Sequence, residues 1–363
     1  MKTERLYSLD VLRGLDMFLL TVVGPLVMAA NKSWGCFPPE FVRQFEHGWL
    51  GFRFWDIIQP LFIFMSGAAI PFALDRRLAA GPRAFWRHVL CRVALLWFLG
   101  GLLQGSWASL DMKTFTPFSN TLQAIAVGYL AVATTMTFRS RRLMMVVPIC
   151  CASLYSLLLA IGGYGEFTNI AYRIERSILA AMLPEGNYYL DHPSHYTNFL
   201  TALMYAVMAF VGYHATRIIL SSREKNAKAV ILFVYGAVLL VVGIISELWI
   251  PCIKPIYTLS FTAQAMGWSV TTLAIFYVVN DVLMWRRGFS FLVFFGQLAL
   301  TAYFVPRFFG KAMNEVGQAC GYGIIARLPP SSNAFVSCLF SIFAMVAIMV
   351  LWRRVKYGAR LDR

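Results

Sequence analysis

Apolar positions dominate ten long stretches of the chain, at 9 to 29, 54 to 74, 93 to 109, 120 to 138, 143 to 162, 198 to 219, 229 to 250, 256 to 280, 289 to 309 and 333 to 352, and polar residues collect between them. A bilayer core about 30 Å thick takes about 20 residues of helix per crossing, so each stretch predicts one spanning helix. None alternates over about 10 residues as a barrel strand would, and a helix satisfies its own backbone polar groups in lipid. The predicted fold class is all-α: a polytopic membrane helical bundle of about ten transmembrane helices.

Composition supports that reading. The 363 residues could hold two or three soluble domains, but 59% are hydrophobic, 13% are charged, and mean hydropathy is +0.64. Soluble domains run to about half apolar and about a quarter charged. Ten spans leave only short loops, so residues 1 to 363 are expected to form a single transmembrane domain, with the lipid bilayer as its main partner. The net charge of +15 does not imply a nucleic-acid partner, because the basic residues come in short clumps between apolar stretches. Such clumps are a topology signal. With the N-terminus in the cytoplasm, 21 of the 32 Lys and Arg fall on one side: before the first stretch and in 75 to 92, 139 to 142, 217 to 228, 286 to 287 and 353 to 363. Ten fall on the other side, and Arg13 lies inside the first stretch. Both termini are predicted to be cytoplasmic.

Residues 9 to 29 have the apolarity of a secretion signal, and Met28-Ala29-Ala30 has the small residues of a cleavage site. Asp10, Arg13 and Asp16 at the start of the stretch are foreign to a signal core, so it is read as a retained membrane helix. The seven cysteines (36, 91, 150, 151, 252, 320 and 338) show no metal spacing, and a disulfide among the outward Cys36, Cys252 and Cys320 has no support from spacing.

An ionisable group in hydrocarbon costs about 2.5 to 3.5 kcal/mol on insertion scales, so each one inside a span needs a partner or a task. Asp10, Arg13 and Asp16 recur every three positions. They read either as an Asp10–Arg13 pair at the cytoplasmic interface or as an arginine offered to a phosphate. Asp56, Gln59, Ile63 and Gly67 share one helical face, with Gly67 allowing a close neighbour. His47 lies nine residues before Asp56, on the opposite side of a continuous helix, so the two meet only if the chain bends near Gly48 or Gly51. An imidazole held by a carboxylate is the usual general base at neutral pH. Asn120, Gln123, Ser260, Gln264, Ser269, Thr271 and Thr272 read first as polar glue between helices. Lys254, just outside the eighth stretch, reads as a snorkelling side chain. His192 and His195 have only Asp191 as an acidic companion, and no metal is expected.

The order of these residues resembles a known family. Arg5, Ser8, Asp10 and Arg13-Gly14 look like the entry to the first helix of the transmembrane acyltransferase superfamily. His47-Gly48-Trp49, followed by Asp56, Pro60, Phe62, Phe64, Met65 and Gly67, resembles its heparan-α-glucosaminide N-acetyltransferase branch. Further blocks agree in order: Leu122-Gln123-Ala124 with Gly128 and Tyr129, Arg173-Ile174-Glu175-Arg176, Ile250-Pro251 with Lys254, Tyr257, Ser260 and Phe261, and Gly296-Gln297 with Tyr303.

The resemblance implies a bacterial inner-membrane N-acetyltransferase. Such a protein moves acetyl from cytoplasmic acetyl-CoA, as donor substrate, to the amino group of a glucosamine-type sugar on the periplasmic side. It places His47 and Asp56 at the chemistry, Asp10, Arg13, Gln123 and Gln297 toward the donor, and Lys254, Ser260 and Trp49 toward the acceptor. A homodimer follows by the same analogy. The departures cluster outward: Gly24-Pro25 and Gln297 stand where the family often has asparagine, and His195-Tyr196-Thr197-Asn198 stands where it has Asp-Pro-Glu-Gly.

The implied chemistry needs a free amine, a stabilised oxyanion and a donor within attack distance. His47 acts either as general base or as a nucleophile carrying the acetyl group. Asn120, Gln123 or Gln297 would donate to the oxyanion. Arg76, Arg77, Arg83, Arg87, Arg92, Arg139, Arg141 and Arg142 would attract CoA phosphates, and Gly67, Gly128 and Gly267 would leave room for the pantetheine arm. Two other readings fit a polar-lined bundle: an amino-sugar permease or secondary transporter, and an O-acetyltransferase of a surface or cell-wall glycan.

Overall fold

The computed structural model describes residues 6–104, 106–191 and 198–358. Helices follow one another as α1 (Tyr7–Phe18), α2 (Gly24–Trp34), α3 (Pro39–Arg43), α4 (Ile58–Ala68), α5 (Ile70–Ala80), α6 (Pro82–Gln104), α7 (Thr121–Thr137), α8 (Arg141–Gly162) and α9 (Ile170–Met182). After them come α10 (Tyr188–Asp191), α11 (Ala202–Ile219), α12 (Lys225–Ser246), α13 (Leu259–Tyr277), α14 (Ser290–Gln297), α15 (Ala299–Phe308), α16 (Gly310–Ile325) and α17 (Asn333–Gly358). Among the described residues there is no strand, only an isolated antiparallel bridge between Leu50 and Ile253. The protein is a multi-pass, all-α membrane protein.

Each predicted stretch is helical, but the count differs. Among the described residues, eight helical segments are long and apolar enough to cross a membrane, and a ninth is α14 with α15, bent by 68° at their junction. The tenth, α7, has 17 residues and at 1.5 Å per residue covers about 26 Å, short of the hydrocarbon core. Helix α6 begins at Pro82, so Arg83, Arg87 and Arg92, expected in a loop, ride on its first turns, where long side chains reach the interface. Helices α9 and α16 lie in segments expected to be loops. Their apolar positions fall on one face only, which a hydropathy average passes over.

Two compact units are distinguished: residues 48–52 and 56–278, and residues 6–47, 53–55 and 279–358. In the first, the segments Phe54–Ala80, Ala202–Ile219 and Leu259–Val282 are 61 to 67% buried, whereas Pro82–Gln104, Arg141–Gly162 and Lys225–Ser246 are 17 to 22% buried. The inner helices therefore carry the core, and the outer ones present apolar surface to lipid. A Cβ at Gly67 would stand 1.9 Å from the Ala209 carbonyl oxygen, and one at Gly212 would stand 2.0 Å from that of Phe64. So α4 and α11 touch backbone to backbone, and Thr216 Oγ1 ties them further by donating to the Ala68 carbonyl at 2.8 Å. Gly128 meets the Tyr205 carbonyl, and Gly267 meets Leu240 and the Gly236 carbonyl. The glycines expected to open a channel instead close helix contacts, as small residues do where lipid gives helices no hydrophobic reason to associate.

In the second unit α1 lies along α14. A Cβ on Gly14 would strike the Leu292 carbonyl, and one on Gly296 would strike that of Asp10. Phe18 packs edge-on against Phe291 and Phe295, with centroids 5.4 and 5.6 Å apart. Between α1 and α2 the helix widens to a π turn over Leu19–Val23, where Thr21 Oγ1 donates to the Met17 carbonyl at 2.7 Å. Helix α17 packs against α16 and α2.

Candidate functional site

In the first unit the non-helical segment 48–52 runs beside the turn that follows α12. The Gly51 N–H donates to the Cys252 carbonyl at 2.8 Å, next to the Leu50–Ile253 bridge. Gly51 has φ +88°, a region that disfavours side chains, so glycine suits the turn of the segment there. The chain then enters a short 3-10 turn, Phe54–Ile57, which delivers Asp56 to the head of α4.

Lys254 Nζ lies 2.9 Å from Asp56 Oδ1, with the two side chains 3% and 1% exposed. Lys254 does not snorkel: its ammonium is buried, and the Asp56 carboxylate is what makes that tolerable. Burial pulls the Lys254 ammonium below its ordinary pKa, and the attraction and hydrogen bond of Asp56 oppose that pull without cancelling it.

The loop holding Lys254 is braced at several points. Ile253 N–H donates to Thr258 Oγ1 at 3.0 Å, and Tyr257 N–H donates to the Lys254 carbonyl at 2.9 Å. Ser260 Oγ donates to the Pro251 carbonyl at 3.0 Å and lies 3.1 Å from Thr258 Oγ1. Tyr155 OH reaches from α8 to the Ile256 carbonyl. Tyr257 itself has φ +47°, uncommon for a bulky side chain and of the kind that collects at functional sites. Its ring meets Tyr205 edge-on at 5.0 Å and Phe261 at 5.6 Å, and Phe52 packs on Phe261 at 5.6 Å. The ion pair therefore belongs to a rigid loop with aromatic neighbours. Adjacent Cys252 is buried, and burial, then the Glu247 and Asp56 carboxylates, push its thiol up to about 12. It is no nucleophile at neutral pH.

The other expected residues fall in different settings. Gln123 is spent on scaffolding. Its Oε1 accepts the Ser119 and Asn120 N–H groups at 2.8 and 3.1 Å, and its Nε2 donates to the Pro117 and Trp97 carbonyls. With Asn120 it forms the capping box of α7, and both amide hydrogens are committed, leaving none for an oxyanion. Ser260 braces the loop, and Trp49 is half-buried in segment 48–52.

In the second unit His47 is exposed after α3. The nearby Gln44 anchors the chain: its carbonyl accepts Trp55 N–H at 2.9 Å and its Oε1 accepts Phe54 N–H at 3.1 Å. Arg13 Nη1 lies 3.5 Å from Asp10 Oδ1, the intrahelical pairing. Gln297 is half-buried at the end of α14, where the span bends. His192 and His195 lie outside the described residues. Among the described residues, no cluster of three or more His, Cys, Asp or Glu could hold a metal, and none of the seven cysteines is bonded to another.

Two acidic groups gain significance only in the structure. Asp16 on α1 is fully buried, and neither of its carboxyl oxygens has a hydrogen-bond partner among the described residues. Glu175 on α9 is 3% exposed, its Oε2 accepts Phe199 N–H at 2.8 Å, and burial lifts its carboxyl to about 7 against that hydrogen bond. Asp16 continues the three-residue rhythm of Asp10 and Arg13, the one signal of it in the sequence. Glu175 gave no signal beyond its place in an Arg-Ile-Glu-Arg block.

No protein-family model matches the chain, and no curated protein matches it. What the fold and its buried polar groups define is the class: a polytopic α-helical membrane protein with an ion pair deep in one unit.

Proposed function

We propose that the protein is a transmembrane N-acetyltransferase of a bacterial inner membrane. In this reading it takes acetyl from cytoplasmic acetyl-CoA and delivers it to the amine of a glucosamine-type sugar on the far side. One observation carries the reading: the Asp56 and Lys254 blocks, both part of the family resemblance and 198 positions apart, converge in a buried ion pair. A lipid-facing bundle with no chemistry to perform has little reason to bury two opposite charges, since well-packed apolar residues there are often as stable or more so. In the reaction the amine nitrogen attacks the thioester carbonyl. His47 accepts the proton the amine loses, and the tetrahedral oxyanion collapses to the amide. The departing CoA thiolate takes the proton back. Asp56 holds Lys254 in place, and Lys254 supplies fixed positive charge for the oxyanion.

The experiment is incubation of purified protein with acetyl-labelled acetyl-CoA and glucosamine. Label on the sugar nitrogen is expected; an ester product would point instead to O-acetyl transfer. The bent span at Gln297 favours a second reading, since transporters place discontinuous helices at their substrate sites. Uptake of glucosamine into proteoliposomes with no acetylated product would establish a permease and end the transferase proposal.

A further inference from the structure

At the end of the first unit that carries Arg139 and Arg141, the side assigned to the cytoplasm by charge, α5, α7, α8 and α11 line an open cavity of about 620 Å³. That is the size of an ordinary small-molecule site. Arg139, Arg141 and Arg217 line it together with Ser140, Tyr213 and Asp75. Arg217 Nη1 is 2.8 Å from Asp75 Oδ2, and its guanidinium lies over the Tyr213 ring, 5.9 Å from the centroid. Among the described residues, Arg139 and Arg141 make no ion pair. The cavity therefore presents three guanidinium groups against one carboxylate. Arg139 also sits at φ +51°, a backbone position where a large side chain is strained and glycine is not.

The usual reason for basic residues at this end of a helix is topology alone. Topology requires neither a cavity, nor convergence of arginines from two distant places in the sequence, nor a strained backbone at one of them. We propose that this cavity binds a phosphate ester, with Arg139 and Arg141 engaging the phosphoryl oxygens and Asp75 competing with the ligand for Arg217. Guanidinium forks match phosphate geometry in this way. The phosphate could arrive on a soluble molecule or on a lipid headgroup. The soluble source, the phosphorylated adenosine end of an acyl-CoA, rests on the acetyltransferase reading; the lipid source does not.

The test uses the full chain in phosphatidylcholine nanodiscs, titrated calorimetrically with adenosine 3′,5′-bisphosphate. A parallel arm measures retention of phosphatidylglycerol by native mass spectrometry. Three exposed-site variants are compared. Arg139→Gly removes the guanidinium while relaxing the backbone, Arg141→Ala removes the second, and Asp75→Asn removes the competitor. Each arginine loss is expected to weaken binding about tenfold, and Asp75→Asn to tighten it several-fold. That pattern in the bisphosphate arm establishes the site with a soluble ligand. The same pattern confined to phosphatidylglycerol establishes it with a lipid ligand. Bisphosphate binding that none of the three variants moves overturns this site while leaving the acetyltransferase reading intact, and absence of the pattern from both arms overturns the site outright. Acetyl transfer measured on the same preparations keeps the two failures distinct: loss of the reading shows as no transfer by the unaltered chain.

Discussion

Replacing Lys254 by Met removes the ammonium 2.9 Å from Asp56 and leaves a carboxylate that is 1% exposed. Breaking a buried ion pair from one side costs about 3 to 5 kcal/mol, because the remaining charge keeps its desolvation penalty and loses the attraction of that partner. The loss should appear as a lower unfolding midpoint in detergent, followed by helical circular dichroism against denaturant. Asp56→Leu alone should be similarly costly, because it removes the carboxylate that faces the buried ammonium. The double variant Asp56→Leu/Lys254→Met has no buried charge at this point, and its stability should return close to that of the unaltered protein. The coupling energy from the cycle should then reach several kcal/mol. Transfer activity should behave differently: absent in both single variants and absent in the stable double variant as well. A double variant that folds and still transfers acetyl at a normal rate would reduce the ion pair to architecture. Additive single losses of under about 1 kcal/mol would show that the pair contributes nothing to stability.

Further outcomes follow from other sites. His47→Ala should abolish transfer while CoA binding, read by calorimetry, persists; near-normal turnover removes the imidazole from the mechanism. Glu175 titrates at about 7 when folded, against an ordinary 4.5, so the folded state holds the extra proton between those values. The stability tied to that proton is complete below about pH 4.5, falls as pH rises and levels off above about 7, for a total of about 3 kcal/mol. Glu175→Gln should flatten that slope in unfolding curves recorded across the window, and an unchanged slope refutes the assignment. Gly67→Ala forces a methyl group against the Ala209 carbonyl and should cost about 1 to 3 kcal/mol, whereas an unchanged midpoint would mean that α4 and α11 can part freely. Gly51→Ala should cost about 1 to 2 kcal/mol through its φ alone, read in the same unfolding assay.

The helices were legible because lipid imposes one requirement, sustained apolarity, and the sequence meets it in ten places. What escaped were α9 and α16, whose apolar residues cover a single face, and the break that divides Ser290–Gln297 from Ala299–Phe308 within an unbroken apolar run. The site was legible residue by residue and not as an arrangement. Asp56 announced itself as a carboxylate that lipid would not accept, but its partner lay 198 positions away, and Lys254 read as an ordinary interfacial lysine. Gln123 looked like a donor aimed at chemistry because it stands in a shared block, yet its hydrogen bonds all go to holding the start of α7. Burial of Asp16 and Glu175 depends on which helices surround them, and no spacing rule encodes that.

The paired glycines where α4 crosses α11 leave no slack between two backbones. A protein that must let cargo or an acyl arm pass cannot do so by sliding these two helices, since a shift of one residue in register would drive a side chain into a carbonyl. Within the first unit this crossing is a fixed point, and any movement of its helices has to take place at contacts other than this one.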